Sequence, residues 1–287
     1  MQEIQNLDNQ KWDKIIEPKR NLLDLRLGEL WRYRDLILLF VRRDFVSLYK
    51  QTILGPLWFL IQPLLTTIIF TVIFGSIAKL PTDGLPQFLF YMSGTVIWTY
   101  FSDCMINTSN TFVNNSQLFG KVYFPRLAVP ISILISSLIT FSIQFALFLV
   151  FVGFFALRGT VLHPNGWILF SPVLVLMMAG LGLGFGIIIS SLTTKYRDLR
   201  FLVQFGVQLL MYATPVIYSV SSIPARFRLL IAANPMSSIV ETFRYAFLGA
   251  GTINPLDLLY SFVFMVVLVI IGAIIFNRVE ATFMDTV

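Results

Sequence analysis

Long stretches of this chain carry no charge, and their lengths constrain the fold more than any other feature. Ile53 to Ala78 has no charged residue, nor have the residues between Arg126 and Arg158, Trp167 to Thr194, Phe201 to Ala225, or Leu258 to Asn277; Gln87 to Asn107 has one, Asp103. A helix needs about 20 largely apolar residues to cross roughly 30 Å of hydrocarbon, where its backbone finds no water to bond. Six transmembrane helices are therefore predicted, at about residues 53–78, 87–107, 128–157, 167–193, 201–220 and 258–276. Composition agrees. Hydrophobic residues make up 56% of 287 and charged residues 13%, against about 25% charged in an average soluble domain. Such a chain cannot cover a water-facing surface, which excludes a soluble enzyme, a disordered tail and a secreted disulfide scaffold. The single Cys104 excludes an internal disulfide and a Cys-based cluster, and the lone His163 leaves no His-rich metal site.

Lys and Arg set the orientation. With a cytoplasmic N-terminus, sixteen of the twenty-one basic residues lie inside; Lys79, Arg158, Arg226, Arg228 and Arg244 lie outside. The net charge of +6 is thus mainly an orientation signal, and no nucleic-acid partner is expected. The predicted organisation is a cytoplasmic segment 1–52, a transmembrane domain 53–276 and a cytoplasmic tail 277–287. The first fifty residues are polar and lack a short apolar run, so no cleavable signal peptide is expected.

Two regions do not span. Within residues 22–50, Leu23, Leu27, Leu30, Trp31, Leu38 and Val41 alternate with Arg26, Arg32, Arg34, Arg42 and Arg43. This pattern predicts an amphipathic helix in the headgroup layer; the alternative is a soluble helical extension. Residues 221–254 are cut by Pro224, Asn234-Pro235 and Asn254-Pro255 and predict two short re-entrant helices, tolerated only where protein or water surrounds them. A plain external hairpin is the alternative.

No Gly-x4-Gly-Lys-Ser/Thr loop is present, so ATP binding through a P-loop is not expected of this chain. Gly180, Gly182, Gly184 and Gly186 form two overlapping Gly-x-x-x-Gly pairs that favour close helix packing in lipid. Asp103 is the one acid well within a span and a functional candidate by default, or else a residue of the cytoplasmic rim. A transferase acting on lipid-linked sugars would need paired acids or a metal motif, and neither is apparent. The inverted repeats common in secondary transporters are also missing.

Three stretches belong together. They are Arg43-Asp44-Phe45 through Tyr49-Lys50-Gln51-Thr52-Ile53-Leu54-Gly55-Pro56-Leu57-Trp58 to Gln62-Pro63-Leu64; Lys195-Tyr196-Arg197-Asp198-Leu199-Arg200 leading to Thr214-Pro215-Val216-Ile217-Tyr218; and Asn234-Pro235-Met236 followed by Glu241-Thr242-Phe243-Arg244. In order and spacing, over about residues 30–276, they resemble the membrane subunits of ABC-type polysaccharide exporters, the group that moves O-antigen, teichoic acid and capsule chains. The resemblance implies a homodimer of six-helix subunits in the bacterial inner membrane. Two separate ATPase subunits would bind ATP and Mg, with no cofactor in this chain. It implies a coupling helix in residues 114–126, with Phe119, Lys121, Tyr123 and Arg126 on the ATPase; the alternative is a set of membrane anchors.

The implied substrate is a glycan on a lipid diphosphate. Arg42, Arg43 and Lys50 lie where Arg and Lys would grip the diphosphate, or they only obey the positive-inside rule. A sliding glycan needs weak, repeated contacts, which aromatic faces supply. If the first and fifth spans line the dimer interface, as the resemblance implies, Trp58, Gln62, Phe201, Phe205, Gln208 and Tyr212 face the channel. The plain alternative is core or lipid-facing aromatics. Glu241, Phe243, Arg244 and Tyr245 are candidates for an outer gate, and Glu241 and Arg244 are three apart and able to pair on a helix. Drug or small-lipid export, an ATP-independent channel and a secondary transporter are the competing functions.

Overall fold

The computed structural model describes residues 27–50, 53–122, 124–193, 196 and 198–282. Expectations on Tyr123, Lys195, Arg197 and the segment before Leu27 lie outside the described residues. Among those described, every regular element is a helix.

The bundle is organised around helix Gln87–Ser109 (α4), with sixteen of 23 residues buried. Tyr91 and Trp98 are both core residues of this helix. Around α4 stand α3 (Trp58–Phe70, continued by a π-helical turn Thr71–Ile77), α7 (Ala128–Leu157), α8 (Ser171–Thr193) and α9 (Leu199–Tyr212). The last helix, α12 (Pro255–Thr282), packs on the far side of α8. Four helical stretches are long and apolar enough to cross a membrane: Gly55–Ile77, Ala128–Leu157, Gly166–Thr193 and Pro255–Val279. Helix α4 has the length but is more polar, because its neighbours shield it. Helix α9, at 14 residues, reaches about 21 Å. It stops at Tyr212 instead of running to Val220, because Pro215 lacks an N–H and disfavours helix at Thr214.

The glycine pairs of α8 point two ways. A Cβ on Gly182 or Gly186 would strike Cys104 or Thr108 of α4, and one on Gly180 or Gly184 would strike Met265 or Leu268 of α12. The bare backbone of α8 is what lets it lie between both helices, as small residues do in membrane bundles.

The N-terminal helices are α1 (Leu27–Arg32) and α2 (Arg34–Tyr49). Their apolar residues divide between two faces. Leu30, Ile37, Phe40 and Val41 are buried against Phe124, Ala128 and Val129, whereas Trp31, Leu38 and Leu39 point outward. The sequence pattern had placed Leu30, Trp31, Leu38 and Val41 together. They part because α2 packs along the start of α7 and keeps one side for its own bundle. Between α4 and α7 lie α5 (Thr111–Asn114) and α6 (Ser116–Lys121). At the opposite end, α10 (Ala225–Ala233) and α11 (Pro235–Leu248) are the two short helices expected there. Asn234 caps α11 by accepting the Met236 N–H, with Pro235 at its first position. Helix α11 is almost wholly buried, twelve of its 14 residues.

Candidate functional site

Polar side chains inside this apolar bundle gather in two places. The first is a crevice of about 540 Å³ at the end carrying α2 and α6. From α4 come Thr99, Asp103 and Asn107, four residues apart and so on one face; from α7 come Ser136, Thr140 and Gln144 at the same spacing. Phe59 and Gln62 of α3, Arg43, Asp44 and Ser47 of α2, and Asn114, Asn115 and Ser137 also line it. Arg43 is already held by Asp44, Nη2 to Oδ1 2.8 Å, and lies 4.9 Å over the Phe40 ring. The structure thus brings Arg43, Gln62 and Asp103 into one cavity. Asp103 lines this crevice. Arg42 and Lys50 are exposed.

The remaining channel candidates point away from the crevice. Trp58 on α3 and Phe201, Phe205, Gln208 and Tyr212 on α9 are all exposed. Spacings of four, three and four residues keep the α9 group on one face. Helices α3 and α9 both lean on α4.

The second gathering is at the opposite end, around α11. Its centre is Arg244, 1% exposed. The guanidinium donates from Nη1 to the Pro215 carbonyl (2.5 Å), from Nη2 to that of Val216 (2.6 Å) and from Nε to Ser93 Oγ (3.3 Å). The expected pair with Glu241 is present, Nη1 to Oε1 3.5 Å, and the Phe90 ring lies beneath, 3.7 Å from Cζ to centroid. Burial pushes the Glu241 carboxyl above the usual carboxylate range, against the opposing pull of Arg244. Phe243 packs into a ring cluster with Phe145, Phe148 and Phe247, and Tyr245 is half-buried. Arg244, counted by sequence as an external charge, is therefore an internal fastener of the turn that ends α9. Beside it, the Asp83 carboxylate accepts from Ser219 and Ser221, joining the α3–α4 loop to the segment after α9. Asp83, Glu241 and Asp257 line a second cavity, of about 530 Å³, at this end.

In the α5–α6 segment, Phe119 is turned inward, with ring centroids 5.8 Å from Phe112 and 5.7 Å from Phe124. The Arg126 guanidinium lies 5.5 Å over the Phe119 ring. Lys121 and Val122 point outward. What this segment offers a partner is its charged edge and Val122, because Phe119 is used by its own fold.

Residues 35–248 match the ABC-2 type transporter family. This chain belongs to the ABC-2 type transporter family. Its relatives include the O-antigen export system permease protein RfbA of Klebsiella pneumoniae, 27% identical over 252 residues, 88% of this chain and 94% of the relative. The protein of the same name from Myxococcus xanthus is 28% identical over 222 residues, 76% of this chain and 82% of its own length. ABC-2 permeases are membrane components whose ATPase is a separate subunit, in keeping with a sequence that has no P-loop.

For this ABC-2 permease, sequence reasoning missed two groups. Ser136, Thr140 and Gln144 had a legible signal: polar residues four apart inside an uncharged span. Asp83 had none, because its partners Ser219 and Ser221 are 136 and 138 residues away in sequence.

Proposed function

We propose that this ABC-2 permease is the six-span membrane subunit of an ATP-driven exporter that moves a lipid-diphosphate-linked polysaccharide of O-antigen type from the cytoplasm across the inner membrane. It works as a homodimer bound to two ATPase subunits, with the channel between protomers and both termini in the cytoplasm. The observation that carries the reading is the exposed face of Phe201, Phe205, Gln208 and Tyr212 on α9, matched by Trp58 and Gln62 on α3. Rings separated by amides give a sugar chain many weak contacts and no deep well, as conduction requires. The names of the relatives support a glycan over a drug or a small lipid. Arg42 on α2 and Lys50 just beyond its end, both exposed, meet the diphosphate, Arg43 being paired with Asp44, and α1–α2 lies in the headgroup layer with Trp31 and Leu38 toward lipid. Lys121 and Arg126 dock the ATPase, while Glu241 and Arg244 hold the outer end of α9 where the glycan leaves.

The test is surface labelling of long-chain glycan in a strain deleted for this chain. Wild-type complementation is expected to restore labelling, and inactivating the partner ATPase to abolish it with lipid-linked glycan held inside. Glycan moved by the purified chain without ATP would overturn the proposal. Lys121→Glu is expected to leave folding unchanged and to weaken co-purification with the ATPase by about tenfold, ~1.4 kcal/mol. Unchanged pull-down would remove Lys121 from the docking edge.

A further inference from the structure

We infer that the crevice between α2, α3, α4 and α7 is a binding site for a single pyranose ring, whose hydroxyls donate to Asp103 and Gln144. The chemistry is argued from the crevice itself. Its role, holding one sugar unit of the cargo beside the channel, rests on the exporter reading above.

The first argument is energetic. Among the described residues, Gln144 Oε1 and Ser136 Oγ are buried without a hydrogen-bond partner, and none hydrogen-bonds or ion-pairs with the Asp103 carboxylate. Buried polar groups are almost always satisfied, and an orphan costs stability. All three line the same crevice. Open acceptors on the α4 and α7 walls of one crevice are there to meet something the fold does not contain.

The second argument is the kind of partner they fit. Arg43 is neutralised by Asp44, so the unpaired charge in the crevice is Asp103. An anion such as phosphate or a diphosphate would meet that carboxylate with no free cation to offset it. What Asp103 and Gln144 Oε1 lack are donors, and a polyol brings several with no charge to desolvate. Ser136 and Thr140 add hydroxyls, and the Phe59 ring offers an apolar face for sugar C–H groups. The volume of about 540 Å³ falls in the usual range for a small-molecule site, about 300–1,000 Å³. From Val129 to Gln144 the α7 wall is about 22 Å long, so a ring could enter beside α2 and reach well into the membrane.

The test uses the purified full chain in a sugar-free detergent. Methyl glycosides of glucose, galactose, mannose and N-acetylglucosamine are titrated by saturation-transfer NMR and by the thermal midpoint, which rises when a ligand binds only the folded state. Phosphoethanolamine and inorganic phosphate are titrated alongside. At least one methyl glycoside is expected to bind saturably, and Asp103→Asn or Gln144→Leu to weaken it tenfold or more. Ser136→Ala and Gln144→Leu are expected to keep or raise the midpoint without ligand, an effect a structural role would not give. Absence of saturable glycoside binding, or binding that survives in both Asp103→Asn and Gln144→Leu, overturns the site. So does a lowered midpoint in both Ser136→Ala and Gln144→Leu, or phosphoethanolamine binding lost in the same variants, which would make the crevice a lipid-headgroup site. Export separates the two readings. Glycoside binding with unchanged glycan export after deletion of the chain sinks the exporter alone, and export lost on deletion without glycoside binding sinks the site alone.

Discussion

Arg244→Ala is expected to destabilise the folded permease by about 3–5 kcal/mol, the range for removing one member of a buried ion pair. The truncation strands the Glu241 carboxylate, 3.5 Å from the lost guanidinium. It also leaves the Pro215 and Val216 carbonyls without the donors they now have at 2.5 and 2.6 Å. Arg244→Lys keeps the charge but loses the planar fork that serves both carbonyls, so an intermediate loss of about 1–3 kcal/mol is expected. The double variant Glu241→Leu with Arg244→Met is expected to be more stable than Arg244→Ala, since no charge is left behind. Thermal unfolding of the detergent-solubilised protein measures all three. A wild-type midpoint for Arg244→Ala would show that the turn after α9 holds without it. In membranes that retain Arg244→Lys, glycan export is expected to fall as well, because the Pro215–Val216 turn fixes the end of the helix that presents Phe201 to Tyr212.

This cluster also shows where sequence reading succeeds and where it stops. The Glu241–Arg244 pair was legible, because a spacing of three on a helix is a local property. That the pair is buried, and that Arg244 reaches carbonyls 28 and 29 residues earlier, depends on α11 folding back into the bundle, which no local pattern encodes. The uncharged stretches marked the apolar helices well, since lipid imposes length and composition directly. Helix α4 shows the limit of that signal. Shielded by its neighbours, it tolerates polar residues, so composition alone could not tell Asp103 on a crevice wall from Asp103 at a rim. Burial misled in the other direction at Phe119. An aromatic beside Lys121 reads as an anchor for a partner, yet Phe112 and Phe124 occupy its ring.

Gly186→Val and Gly182→Val are expected to cost at the upper end of the overpacking range, about 3 kcal/mol each. A Cβ on Gly186 would lie 2.5 Å from Thr108 Cβ and 3.0 Å from the Met105 carbonyl oxygen; one on Gly182 would lie 2.6 Å from Cys104 Cβ and 3.1 Å from the Phe101 carbonyl oxygen. The obstructing atoms are the backbone and Cβ atoms of α4, which cannot swing aside, so the whole helix must move. That helix also carries Asp103, Thr99 and Asn107, so the crevice is distorted as α4 shifts, and glycoside affinity is expected to fall with stability. Gly184→Val should cost slightly less, meeting the Leu268 side chain at 2.8 Å and its carbonyl carbon at 3.1 Å. Gly180→Val should cost least of the four, because the atoms it meets belong to the flexible Met265 thioether. Gly153→Val on α7, with nothing within 4 Å of a new Cβ, is the control and is expected to leave the midpoint unchanged. This ranking tests the packing directly. The helix-propensity change from glycine to valine is about the same at every interior position and slightly favours valine, so equal losses at Gly153 and Gly186 would mean that α8 does not lie against α4 as closely as these distances require.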